Sequence, residues 1–387
     1  MFVRLQPYFQ PILTACLLFP FAAGVFTLPF TIVNYRKFGG IAVMRVFIVY
    51  SFILYSMCAF LLTVLPLPSR EAVAAMPAHS IGWVPFRDLA EGLEKSGVLA
   101  SPFSGAAWLS FLRSPQFFQA LANIIMQIPL GIYLRYYFRC NWKKTLLIGF
   151  CVSLFYELTQ LSGLFFIYPK AYRYTEMDDL IFNTLGAMIG FFITPLLCRF
   201  LPTRDEIDSI SYRKGERLTL IRRFIAAMLD AFICVLILPP LLYLLSAVLS
   251  GFGLFSVTPC FLFVYFTLLP WLCRGSTLGQ LLLRLRIVPL NTMTPARFRQ
   301  LFIRNLFLYF IEPLIFLADV FSVSIIVLSL AGSVDDPLSL LFFILFPALI
   351  ILLSLVFFLG AYLRHNTFPH GQLSRTRIVI IPRSVRS

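Results

Sequence analysis

From Pro7 to Ile32 the chain runs for 26 residues without one charged side chain. A helix needs roughly 20 apolar residues to cross the hydrocarbon of a bilayer, so this stretch constrains the fold more than any motif does. Eight further apolar stretches follow, and they place spans at about 8–32, 41–65, 116–137, 145–167, 179–200, 222–249, 256–273, 305–330 and 340–363. Charged residues make up only 13% of the 387 and mean hydropathy is +0.87, whereas soluble domains carry about 25% charge. The expected fold is therefore all-α, a polytopic transmembrane helical bundle of about nine spans in two modules. The first stretch is too long for a cleaved leader and runs directly into Asn34-Tyr35-Arg36-Lys37 without a small-residue cleavage site, so it reads as the first span.

A net charge of +15 raises the question of a nucleic-acid partner, and the placement of that charge answers it. The connections 34–40, 135–144, 199–223, 274–304 and the tail from Arg364 hold two, four, seven, six and five Lys or Arg, 24 of the 32 in the chain. They alternate with connections that hold few for their length. Positive loops stay cytoplasmic, so the expected topology in a cell membrane is N-terminus outside and C-terminus inside, which an odd number of spans also requires. The charge then faces anionic headgroups, and the expected partner is the lipid bilayer rather than nucleic acid; no particular oligomeric state follows. Eight cysteines stand singly, and three histidines form no His-Glu motif, so neither a disulfide framework nor a metal site nor a cofactor is expected.

Residues 66–115 contain Pro66, Pro68, Pro77, Pro85 and Pro102, with four acidic and four basic residues, and read as an ordered cap on the outer side. Gly332 to Asp336 reads as a plain turn. A charged stretch with few apolar residues, Arg204 to Arg223, marks a module boundary. The expected parts are a leading span at 1–40, a membrane module at 41–203, a cytoplasmic linker at 204–223 and a second membrane module at 224–387. No internal repeat relates the halves, which argues against a transporter built from inverted repeats.

Ionisable and amide groups inside spans cost several kcal/mol unless they are partnered, so each is a functional candidate. Span four carries Ser153, Glu157 and Gln160, spaced by four and three and hence on one face. Span five carries Asp179 and Asn183, four apart, and span three carries Asn123 and Gln127, also four apart. Counting about 1.5 Å per residue places these groups at overlapping depths in the outer half of the membrane. Gly186 and Gly190 would let helices approach closely, and Pro129-Leu130-Gly131 can bend span three. The three spans are expected to enclose a polar pocket open to the outside and capped by Arg173, Glu176 and Asp178. The amides alone are equally well read as interhelical hydrogen-bond glue. Glu157 is harder to read so, because its carboxyl needs Arg173, a neighbouring amide or a bound proton.

The order Asn123 to Gly131, Ser153 to Gln160, Arg173 to Asn183, then Gly186 and Gly190, preceded by Val84-Pro85-Phe86, resembles the VanZ-like family over about residues 45 to 200. Gln127 and Glu176 depart from it, standing where an apolar residue and an aspartate are expected. The resemblance implies association with the bacterial cell envelope. The family's founding member is linked to resistance against teicoplanin, a glycopeptide that binds a cell-wall precursor, so a lipid-linked precursor or a glycopeptide is the implied ligand class.

In the second module Asp230 lies about 10 Å inside span six, past Arg222 and Arg223, and Glu312 lies at a similar depth in span eight, with Asp319 seven residues on. Asp230 and Glu312 either face each other or snorkel toward Arg223 and Arg304. The segment from Arg274 to Val288, with Arg284 and Arg286, reads as interfacial. Arg223 with Asp230, the Gly275-Ser276-Thr277-Leu278-Gly279 run leading to Arg286, and Arg304-Asn305 resemble the RDD family over about 217 to 382. That family's closing His-acid pair appears here as His370-Gly371. Members have been proposed as transporters or cation/proton antiporters, which makes a secondary transporter using intramembrane carboxylates the alternative function. An enzyme is not expected, since no nucleophile stands beside a base and no metal-ligand spacing occurs, although carboxylate chemistry around Glu157 and Asp179 is a third reading.

Overall fold

The structure, a computed structural model, describes residues 2–77, 81–249, 252–328, 337–365 and 368–381. The expected turn at Gly332 to Asp336 lies outside the described residues. Each of the nine apolar stretches is occupied by a long helix: α1 (Phe2–Phe38), α2 (Val43–Val64), α3 (Pro115–Tyr136), α4 (Trp142–Leu161), α5 (Met177–Leu197), α6 (Leu220–Leu245), α7 (Ser256–Leu272), α8 (Phe298–Leu328) and α9 (Pro337–His365). Seven are long and apolar enough to cross a membrane. The other two are α4, which carries Lys143, Lys144 and Glu157, and α7, whose apolar length, Ser256–Leu272, is too short.

The helix starts follow local chemistry. Ser114 accepts from the Phe117 N–H at 3.2 Å, Asn141 from Lys144 N–H at 2.9 Å and Thr219 from Arg222 N–H at 3.3 Å, each satisfying an orphan donor of a first turn. The α4 helix ends at Leu161, six residues before the end of the apolar run. Gly163 turns the chain at φ +60°, and a Cβ there would lie 2.7 Å from the Lys170 carbonyl oxygen, so the following apolar residues cannot continue the helix.

Two compact units emerge: one holds 1–31 and 41–211, the other 32–40 and 212–387. In the first, α3 and α5 touch backbone to backbone. A Cβ on Gly186 would lie 2.2 Å from the Ile124 carbonyl oxygen, one on Gly190 2.0 Å from that of Ile128, and one on Gly131 1.9 Å from that of Ala187. The helix α3 runs on through Pro129. Between α2 and α3, the described residues of the 66–115 segment form short helices at Arg70–Ala75, Arg87–Lys95 and Gly105–Leu112. A strand β1 (Ile81–Gly82) in that segment pairs in parallel with β2 (Thr175–Glu176), just before α5. A helix at Arg204–Gly215 follows α5, and its Asp208 takes ion pairs from Arg45 on α2 and, at 3.0 Å, from Arg204.

In the second unit, the segment expected to be interfacial forms a short helix at Leu278–Leu282 and a strand β3 (Leu285–Pro289). An antiparallel partner, β4 (Thr376–Ile380), comes from the C-terminal tail, with Leu285 opposite Ile380 and Pro289 opposite Thr376. Arg286 thus sits half-buried in a two-stranded ribbon.

Candidate functional site

The face of α4 drawn from the sequence is buried against its neighbours, with Ser153 and Gln160 inaccessible or nearly so and Glu157 only 5% exposed. On α5, Asn183 donates through Nδ2 to Ser153 Oγ at 3.2 Å, and that hydroxyl donates in turn to the Asp179 carbonyl oxygen at 3.3 Å. The Asp179 carboxylate accepts from Asn123 Nδ2 on α3. A single hydrogen-bond chain therefore links α3, α5 and α4, made possible by the glycine contacts that bring α3 and α5 together.

Helix α2 adds a fourth wall that sequence reasoning missed. The Tyr55 hydroxyl donates to Gln127 Oε1 at 3.1 Å, and Gln127 is fully buried, so it faces α2 rather than the Asp179 chain. The Thr63 carbonyl, one of the orphan acceptors in the last turn of α2, takes both Gln160 Nε2 and Arg173 Nη1 at 2.8 Å. Arg173 is exposed and serves as a cap for α2. A carbonyl acceptor leaves no trace in side-chain pattern, which is why neither partner was legible.

Above this network the 66–115 segment closes over α5. Pro85 precedes Phe86, which takes a left-handed conformation (φ 59°) and aims its N–H at the Asp178 carboxylate in the first turn of α5. The Glu176 N–H, held by the β1–β2 pair, donates to Glu157 Oε2 at 3.3 Å. The result is a polar cavity of about 420 Å³ whose walls include Gly82, Arg87, Asp88, Glu91, Glu176 and Asp178. Four carboxylates against one guanidinium make it acidic. Burial, with Asp179, Asp88 and Asp178 nearby, pushes the Glu176 carboxyl up to about 7. Among the described residues no group of three or more His, Cys, Asp or Glu is arranged to hold a metal ion.

The second-module residues do not form one cluster. Asp230 is buried and accepts three hydrogen bonds: Tyr265 hydroxyl to Oδ1 at 2.8 Å, Thr277 hydroxyl to Oδ2 at 2.6 Å and Gly279 N–H to Oδ1 at 2.7 Å. A Cβ on Gly279 would lie 2.4 Å from the Ala226 carbonyl oxygen, so only glycine brings that N–H to the carboxylate. Glu312 instead takes the ring Nδ1 of His370 at 2.9 Å and its backbone N–H at 3.1 Å on one oxygen. Burial, reinforced by Arg304, holds the His370 imidazole down at about 4, so this contact is a hydrogen bond from a neutral ring. Asp319 accepts from Ser354 on α9 at 2.9 Å, and Arg223 is half-buried near Asp230 on the wall of a separate cavity. Of the two expected arrangements, facing each other is not the one seen: Asp230 and Glu312 take separate partner sets, because the Thr277–Gly279 turn and the 369–373 helix each supply donors of their own.

Compared with curated proteins and with solved structures, the chain has no match. Residues 52–198 match the family model for VanZ/LLP1, and residues 218–368 match that for the RDD family. The first match covers the α2–α5 network and its acidic cap, the second covers Asp230 with its three donors and Glu312 but stops short of His370, and the chain is thus a VanZ-like module followed by an RDD-family module, in a polytopic helical membrane protein.

Proposed function

We propose that this is a non-catalytic envelope protein of the bacterial cell membrane, with its N-terminus outside, whose VanZ-like module binds a wall-related ligand in the acid-lined cavity over Glu157. The observation that carries this reading is the bond from Glu176 N–H to Glu157 Oε2, which ties the cavity wall to the buried α3–α4–α5 network. The lining selects among ligands. Asp88, Glu91, Glu176 and Asp178 repel a pyrophosphate and accept hydrogen bonds from amines and hydroxyls, so the cavity would take the sugar or peptide portion of a lipid-linked precursor or of a glycopeptide. The outward orientation rests on the 24 Lys and Arg gathered in the alternate connections. Binding there would lower susceptibility to teicoplanin-type antibiotics. A deletion strain should become more susceptible to teicoplanin, wild-type protein should restore it, and Glu157→Leu, which removes the acceptor of the Glu176 N–H, should fail to do so at equal abundance. Equal susceptibility of all strains would refute the reading.

A second reading, proton-coupled transport, is favoured by one feature. Glu176 changes protonation near pH 7 beside a buried carboxyl, as a relay group must. Reconstituted vesicles would then carry a proton flux that Glu157→Gln abolishes, and flux equal to that of empty vesicles would eliminate it.

A further inference from the structure

The second unit contains a cavity of about 550 Å³ between α6, α8 and the β3–β4 ribbon, in the size range of sites that enclose most of a small ligand. Three guanidiniums reach it: Arg223 from α6, Arg304 from α8 and Arg377 from β4. Arg304 is buried and donates to Thr376 Oγ1 at 3.1 Å, and Arg377 Nε is buried with no hydrogen-bond partner among the described residues. Neither Arg304 nor Arg377 forms an ion pair with an acid among the described residues.

Among the described residues Asp230 is the single acid on the wall, and Glu312, bonded to His370 of the wall, also attracts Arg304, so two carboxylates stand against three guanidiniums. His370, also on the wall, is neutral at pH 7 and adds no charge. The site therefore carries a positive excess that is costly to keep away from water unless an anion compensates it. Most of the remaining wall is apolar, and it runs out to Leu220 and Phe224, which stay exposed on a helix apolar enough to span. A free inorganic anion would satisfy the guanidiniums and leave that apolar half unfilled.

We propose that this cavity binds an anionic membrane lipid, its phosphate against Arg223, Arg304 and Arg377 and its acyl chains leaving past Leu220 and Phe224. Such a lipid would bridge α6 to the tail strand β4, because Arg377 belongs to that strand. The site lies in a different unit from the acid-lined cavity, and the failure of either reading leaves the other standing.

The test titrates the full-length protein in detergent micelles with phosphatidylglycerol, phosphatidylcholine and glycerol 3-phosphate, and counts bound molecules by native mass spectrometry. Phosphatidylglycerol should be held about tenfold more tightly than phosphatidylcholine, with no retention of glycerol 3-phosphate at the same concentrations. Arg377→Gln and Ala227→Trp, the second placing a bulky side chain at a small, exposed wall position, should each weaken phosphatidylglycerol about tenfold. Equal retention of the two lipids would mean unspecific annular binding and overturn the proposal. Binding of glycerol 3-phosphate as tight as that of the lipid would overturn it too, as would wild-type retention by both variants. Should either variant fail to fold, the comparison among the three ligands on wild-type protein decides alone.

Discussion

The backbone N–H of Glu176 and the side-chain Oε2 of Glu157 lie 3.3 Å apart, so the residue that closes the β1–β2 pair is bonded to a carboxyl buried in the membrane module. Removing the acceptor leaves a partly buried N–H unpaired, at a cost of about 1–3 kcal/mol. Glu157→Leu should therefore lower the thermal unfolding midpoint of the detergent-purified protein by several degrees, while Glu157→Gln, which keeps a carbonyl acceptor, should stay close to wild type. Equal midpoints for the two variants would show that the bond contributes nothing to stability.

The α3–α5 contact admits no side chain. At Gly190 a Cβ would fall 2.0 Å from the Ile128 carbonyl oxygen, and backbone on both sides cannot yield locally. Gly190→Ala should cost about 3 kcal/mol or more and reduce the yield of monodisperse protein on size-exclusion chromatography. Gly24→Ala, where nothing lies within 4 Å, is the control and should behave as wild type.

Glu176 gives a signed pH effect. Its folded carboxyl, pushed up to about 7 from 4.5, holds a proton that the unfolded chain releases. The stability it contributes is present in full below pH 4.5 and lost as pH rises through about 7. Midpoints of wild type minus those of Glu176→Gln should fall between pH 4.5 and 7.5, and a flat difference would contradict the assignment.

His370 acts with the opposite sign. Its folded imidazole stays neutral down to about 4 while the unfolded ring takes a proton below 6.5, so stability falls as pH drops through that window, by up to about 3 kcal/mol. His370→Gln should flatten the acid limb of the unfolding curve between pH 6.5 and 4. An unchanged limb would mean that the ring is already charged against Glu312.

Among the described residues apolar length alone located nine long helices, seven of them long and apolar enough to span, because the backbone hydrogen bonds of a span must close within the span. The residue spacing on α3, α4 and α5 likewise pointed to their convergence, since side chains three and four apart share a face. What stayed hidden depends on partners that carry no local signature. The Thr63 carbonyl that holds Gln160 and Arg173 is a backbone atom. The β3–β4 ribbon joins Leu285 to Ile380 across most of the second module. Glu312 finds its donor in His370, 58 residues further along the chain on a helix of five residues. The early end of α4 was also missed, because Leu164, Phe165 and Phe166 are as apolar as a span requires and only the turn at Gly163 excludes them.

The central claim, that the acid-lined cavity faces out of the cell, is tested most directly by thiol labelling of intact cells with a membrane-impermeant maleimide. Glu91→Cys, on the cavity wall, should label above the wild-type background before permeabilisation, and Arg213→Cys, on the helix at Arg204–Gly215, only after it. The reverse order would place the cavity in the cytoplasm and contradict the account.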